Sequence, residues 1–413
     1  MTGRADASLL TEAEVRERIA WASRRGQPHW LWPELDPADW KAALDSSERA
    51  VRDVLAGGPA PRLAGRAEAL GLAGDTSGMG PLLGYWLRAG LIAADPEAAA
   101  LLGLHLAHNG LRMERMERRA MELAAGFAAR GIGHAALKGM DTAFAYFPEP
   151  GTRPMADIDL LVDARDRAAA GEVLAGLGYA PGREVPMPPA QTWRRPGSPE
   201  LPRTLRFVHA DDPWSVDLQT SLNRRHRAGA PVVELDRVAR FEEAAAQPLT
   251  RRLAPVSLVL HLACHASCDA RSLTLLRLVE LLLVIRHERE AGRLGWDELL
   301  AMASEAGALG GVYPALNLCE RLAIGTIPAE VLTASRRAAP AAVHRVIERL
   351  SPAHAQDLLR CSLEERFMWS PSPARKLGQA LREVFPPGSS SPAVLFDILH
   401  TRAWRLARGT LTR

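Results

Sequence analysis

Lysine is almost missing from this chain: only Lys41, Lys138 and Lys376 occur in 413 residues, so nearly all positive charge is arginine. With abundant alanine, glycine and proline, that bias is the mark of a GC-rich coding sequence. It also leaves one lysine, Lys138, beside the most informative stretch of the chain. Cysteine is scarce as well: Cys264, Cys268, Cys319 and Cys361 form no CxxC pair, which excludes a disulfide framework. No apolar run approaches the roughly 20 residues of a membrane span. The greasiest segment, Leu275–Ile285, is interrupted by Arg277 and Glu280 and reads as a core helix. The first residues, MTGRADASLLTEAEVRERIA, do not read as a secretion signal, so the expected location is cytoplasmic. A net charge of +3 permits an anionic ligand without marking a dedicated nucleic-acid binder. Also absent are a phosphate-binding G-x-x-x-x-G-K-[ST] loop, a G-x-G-x-x-G turn, H-E-x-x-H, G-x-S-x-G and any repeat of 20 to 50 residues.

What remains is an ordinary globular composition, 47% hydrophobic and 24% charged, in a chain long enough for two or three packed units. Helical signals dominate both ends. Thr11 and Glu14 have capping-box spacing, and Asp36-Pro37 is a second helix start. Trp21, Trp30, Trp32 and Trp40 crowd this region as core plugs, or alternatively as a stacking surface. Residues 57–80 read as a Gly/Ala/Pro-rich linker with room for one helix. Helical periodicity returns over Pro81–Leu91 and Pro96–Arg130; in the latter, Arg112, Glu114, Arg115, Glu117, Arg118 and Arg119 read as a solvated face. Beyond Val232 the chain is helical again. There His261, Cys264, His265 and Cys268 share one helix face at i, i+3, i+4 and i+7. One helix cannot wrap a tetrahedral ion, so these four read as packed core instead of a zinc site. Arg402, Arg405, Arg408 and Arg413 read as a basic tail.

The chemistry concentrates in His134–Asp163, around Asp157-Ile158-Asp159 in the run DIDLLVD. As a strand it places Asp157, Asp159 and Leu161 on one side and Ile158, Leu160 and Val162 on the other. Carboxylates at i and i+2 lie roughly 6 to 7 Å apart along one face. They can therefore share a divalent cation, or bracket two cations about 3.5 to 4 Å apart. Upstream, residues 133–137 read as a short buried strand ending at Lys138-Gly139, followed by a helix from Met140 to Phe147. Strand, tight turn and helix start make a phosphate cradle, because the first helical N–H groups have no internal partner. Downstream, Thr204–His209 and Trp214–Gln219 read as a hairpin around Ala210-Asp211-Asp212-Pro213. Its second arm alternates so that Asp217 supplies a third carboxylate. Between the two, residues 181–202 read as a proline-rich loop, variable or disordered, with closure over a substrate as the alternative.

The combined pattern LKG…YFPEPGTRPMADIDLLV…LGY…VDL resembles a bacterial family of uncharacterised nucleotidyltransferases within the polymerase-β-like superfamily. The close match runs from about Pro81 to Leu222, with weaker likeness to about Pro328. Two positions depart from the pattern. The superfamily's Gly-Ser pair is Gly139-Met140 here, and a frequent histidine after the third acid is replaced by Gln219.

The resemblance implies an α+β fold in three parts: an N-terminal helical region and linker over 1–95, a small mixed-sheet nucleotidyltransferase core over 96–225, and a C-terminal helical domain over 226–413. It implies transfer of an NMP, most simply AMP, from a nucleoside triphosphate to a hydroxyl or phosphate of a small molecule, peptide or protein. Asp157, Asp159 and Asp217 would then be catalytic and hold Mg²⁺ (or Mn²⁺), while Lys138, Gly139, Met140 and Arg153 would meet the nucleotide. Arg153 has a second reading, a structural salt bridge to one of the acids. Two alternatives stand beside this activity: a catalytically silent nucleotide-binding adaptor, and a nucleotide-sugar or phosphoryl transferase using the same DxD.

Overall fold

The computed structural model describes residues 9–186, 189–225, 232–243, 251–268, 273–353, 365 and 367–370. The C-terminal arginine set and Cys361 lie outside them.

The chain opens with α1 (Glu12–Arg25) and α2 (Pro37–Leu55). The capping box forms as expected: Glu14 N–H donates to Thr11 Oγ1 at 3.3 Å, and Thr11 N–H to the Glu14 carboxylate at 2.7 Å. Asp36 caps α2 through Ala38 N–H at 2.8 Å. The one helix for which the linker reading left room is α3 (Ala67–Ser77), and it is packed, with Ala69, Leu70, Leu72 and Ala73 at most 1% exposed. Its small residues serve close approach. A Cβ on Gly71 would overlap the Leu101 side chain, and one on Gly84 in α4 (Gly80–Arg88) would overlap the Leu102 carbonyl. Both neighbours belong to α5 (Pro96–Ala129), the long helix that leads into the sheet.

The sheet is mixed and five-stranded. β1 (His134–Ala136) is followed by α6 (Gly139–Ala145), β2 (Asp157–Val162) and α7 (Arg167–Gly176). Next come β3 (Ala180–Pro186), β4 (Pro189–Arg194) and β5 (Ser215–Gln219), and the spatial order is β1-β2-β5-β4-β3. β5 runs parallel to β2 and the remaining pairs are antiparallel. Two sequence expectations change here. Residues 181–202 begin as a hairpin completing the sheet, and β5 pairs with β2 and β4 in place of a partner at 204–209. Pro186 ends β3, the edge strand, and Pro189 is the first residue of β4, positions where a strand tolerates a missing N–H.

One face of the sheet is apolar. Ile158, Leu160, Val216 and Leu218 pack with Met116, Leu123 and Phe127 of α5 and with Val173 and Leu174 of α7. The other face carries the carboxylates and looks toward the C-terminal helices α8 (Pro255–Ser267) and α9 (Leu275–Glu290). Among the described residues four more helices follow: α10 (Trp296–Glu305), α11 (Tyr313–Leu322), α12 (Ala329–Ala338) and α13 (Ala341–Arg349). Apolar residues of α2–α5 and α8–α13 form one contiguous core, so the two helical flanks are packed together behind the site. Among the described residues no helix is long and apolar enough to cross a membrane.

Candidate active site

Parallel pairing of β2 with β5 puts Asp159 directly opposite Asp217. Alternation in both strands sends Ile158, Leu160, Val216 and Leu218 to the core and leaves the acids on the opposite face. One oxygen each from Asp157, Asp159 and Asp217 lies within 4.8 Å of the others. The third carboxylate therefore comes from a neighbouring strand, as the alternation of β5 suggested, although its register is set by β2.

Charge in this cluster is under-compensated. Lys138 Nζ donates to Asp159 Oδ1 at 2.8 Å, and Gln219 Nε2 donates to the same oxygen. Asp157 is pushed up to about 7, first by the charge of Asp159 and then by burial. Burial, with Asp159 second, also raises Asp217. Asp217 Oδ1 is buried and has no hydrogen-bond partner. Three convergent oxygens, one of them orphaned, suit a hard cation such as Mg²⁺ or Mn²⁺. Among the described residues this is the one His/Cys/Asp/Glu group compact enough to hold a metal. The His261/Cys264/His265/Cys268 face does not converge in that way: His261 is 1% exposed and its ring stacks on His265 at 6.4 Å.

The Lys138-Gly139 turn has an unusual backbone. Lys138 takes φ 50°, the lone positive φ outside glycine among the described residues. Its carbonyl accepts from Asp141 N–H at 3.0 Å and Thr142 N–H at 2.8 Å, which starts α6. Gly139 lies close under two side chains: a Cβ there would overlap Arg153 Nη1 and Met155 Sδ and displace both ends. Met140 follows with its side chain in the core at 1% exposure, so only its backbone can face a ligand. Arg153 is held away from the aspartates by a bidentate pair with Glu280 of α9, at 3.0 and 2.9 Å. The salt bridge expected for Arg153 thus exists with a different partner, and the guanidinium still lines the cavity.

That cavity, about 500 Å³, lies between the acid face of the sheet and α8–α9. Asp157, Asp159, Lys138, Arg153, Arg277 and Glu280 line it, together with Asp75 and His265. Glu280 and Arg277 were legible in the sequence as the two charges breaking an apolar helix, but not as site residues. Arg112, expected on a solvated face, is 3% exposed. Its guanidinium donates to the carbonyls of Met155, Asp212 (3.3 Å) and Pro213 (2.9 Å), tying the segments that lead into β2 and β5.

The solution structure of the antibiotic-resistance factor ANT(2'')-Ia matches with 15% identity and a TM-score of 0.32, over 50% of this chain and 96% of that one. No curated protein sequence matches. The pattern of the family described as uncharacterised nucleotidyltransferase matches residues 73–323, from α3 through the whole sheet to the end of α11. That span includes every wall of the acid-lined cavity, and the chain belongs to this nucleotidyltransferase family.

Proposed function

We propose that the protein transfers a nucleoside monophosphate, most simply AMP, from a nucleoside triphosphate to a hydroxyl or phosphate oxygen of an acceptor. The acceptor would be a small molecule, peptide or protein. In the reaction the acceptor oxygen bonds to the α-phosphorus, the bond to the β-phosphate bridge breaks, pyrophosphate leaves and the acceptor proton is released. A bound Mg²⁺ or Mn²⁺ would supply charge for the triphosphate and lower the pKa of the acceptor hydroxyl. Asp157, Asp159 and Asp217 would hold it. The observation that carries this reading is the trio itself: three oxygens within 4.8 Å, with Asp217 Oδ1 buried and unpartnered.

The remaining residues position and balance. Lys138 and Gln219 fix the rotamer of Asp159 by sharing its Oδ1. Glu280 holds the Arg153 fork against the Gly139 turn, presenting a cation to phosphate oxygens at the cavity wall. The buried Met140 replaces a hydroxyl with a core anchor, so phosphate contact at this turn would come from backbone N–H groups.

Calorimetry of each NTP, with and without Mg²⁺, tests the proposal on wild type and on Asp157→Ala/Asp159→Ala. Metal-dependent binding that the double variant loses is expected. A folded protein that binds no NTP would overturn both this reading and the nucleotide-binding adaptor, and equal binding by the variant would place the nucleotide elsewhere.

A further inference from the structure

A second cavity, about 640 Å³, lies between α5, Tyr179 and the segment from Arg195 to Trp214. It touches the aspartate cavity only at Asp212 and Pro213, which line both. Its walls are rich in arginine. Arg115, Arg118 and Arg119 project from one face of α5 at i, i+3 and i+4, and Arg195 and Arg203 come from the opposite side.

Two of these cations have backbone partners, Arg115 donating to the Ala210 carbonyl at 3.0 Å and Arg195 to that of Leu177 at 3.4 Å, and the ion pairs around them are solvated. Arg115 pairs with Asp211 at 2.9 Å and Arg119 with Glu122, all with side chains between 32% and 55% exposed. Such solvated pairs contribute about 0–1 kcal/mol and give way to a better anion. Arg118 makes no ion pair among the described residues.

Independent of the charge, Tyr179 points to a ligand. It is 5% exposed, and its hydroxyl is buried with no hydrogen-bond partner. Leaving such a group unsatisfied costs roughly 1–3 kcal/mol, which an acceptor atom in the cavity would recover. The Arg195 guanidinium lies 5.7 Å from the Tyr179 ring centroid, and the Trp214 ring is 6.4 Å away, giving one apolar wall beside the cations.

We infer that this cleft binds a small phosphate-bearing molecule, with arginine forks on the phosphate oxygens and the Tyr179 hydroxyl donating a further hydrogen bond. Several arginines and a hydroxyl converging from different sides match the many oxygens of a phosphate better than the two of a carboxylate. The volume is that of a small-ligand pocket. This site is separate from the one proposed for nucleotidyl transfer, and its test does not depend on that activity.

The test is calorimetry of the full chain with inorganic pyrophosphate, with EDTA present so that no metal recruits the probe to the aspartates. One-site binding is expected in wild type. Arg118→Glu should weaken it at least about 10-fold, and Tyr179→Phe about 3- to 10-fold with the thermal midpoint unchanged. Asp157→Asn/Asp159→Asn should retain it. Absence of binding in wild type, equal affinity in Arg118→Glu, or loss in the aspartate variant would each overturn the inference. So would a single-stranded oligonucleotide that displaces pyrophosphate and binds far more tightly, since the occupant would then be a polymer.

Discussion

Two clusters of buried acids lie on either side of α6, and they are built on opposite principles. On one side are Asp157, Asp159 and Asp217, three carboxylates whose one direct ion pair among the described residues is Lys138 with Asp159. On the other, Asp141 and Glu288 are both 0% exposed, yet cations surround them. Arg252 lies 3.5 Å from Asp141 and 3.6 Å from Glu288, Arg293 lies 2.7 Å from Glu288, and Tyr146 donates to Glu288 at 2.7 Å. Burial of charge is therefore not the signature of a site, because a fold also buries charge to join its parts. The signature is burial without balance. Here the balanced cluster joins α6 to the C-terminal helices, while the unbalanced one faces a cavity.

The comparison breaks most sharply under substitution. Asp159→Asn should lower nucleotidyl transfer by at least about 100-fold, the scale of losing transition-state charge stabilisation, with little loss of stability. A radiolabelled NTP transfer assay alongside a denaturation curve checks both halves. A destabilised protein with proportionate activity would show that the trio is structural after all. Glu288→Ala should do the reverse. Arg252 keeps Asp141 and Glu242 as partners, but the Tyr146 hydroxyl loses its acceptor and Arg293 its nearest acid, at a cost of about 1–3 kcal/mol. Urea unfolding would read that loss, while metal-dependent NTP binding by the remaining folded fraction stays as in wild type.

A third substitution sharpens the boundary between the two clusters, at the residue where sequence and structure differ in meaning. Met140 stands where the superfamily pattern has serine, and it invites the expectation that Met140→Ser would restore a phosphate contact. Its side chain is instead in the sheet core with Ala143 and Leu160. The substitution should cost about 2–4 kcal/mol as a large-to-small core change with a hydroxyl added. Calorimetry should find NTP affinity unimproved, and a gain would mean that the turn rearranges.

Much of this could be read in the sequence for identifiable physical reasons. Strand alternation is strictly local, so Asp157 and Asp159 on one face and Ile158 and Leu160 on the other follow from the residues themselves. Helix caps at Thr11 and Asp36 are equally local, and both formed. What could not be read depends on partners distant in the chain. β5 pairs with β2 across the 52 residues that separate Val162 from Ser215, and a hairpin with 204–209 is the simpler local alternative. Proline in 181–202 suggested a loop because sequence does not say that a strand is at the edge. Glu280 is 127 positions from Arg153, and its role was visible only as a charge out of place in an apolar helix.

The smallest expected effect is the most specific to unbalanced charge. Asp157 is raised from 3.8 to about 7, chiefly by Asp159, so the folded protein holds a proton there that the unfolded chain has already released. For a carboxyl raised on folding, the native state is unpenalised below the unfolded value. It loses stability as pH climbs from 3.8 toward about 7, and carries the full penalty above that. Metal-free Asp157→Asn should therefore be more stable than wild type at pH 8. The gain would be about 1–2 kcal/mol, because the acids share protons and one substitution relieves only part of their repulsion. The advantage should shrink through the same window and vanish near the unfolded value. Adding Mg²⁺ should reverse the order at high pH, since a cation that binds only the folded wild type restores its stability. Thermal unfolding of both proteins in EDTA and in Mg²⁺, at several pH values, reads all of this without knowing the acceptor. An advantage for Asp157→Asn that ignores both pH and Mg²⁺ would mean the aspartates do not repel one another, and the contrast with the Asp141/Glu288 cluster would fail.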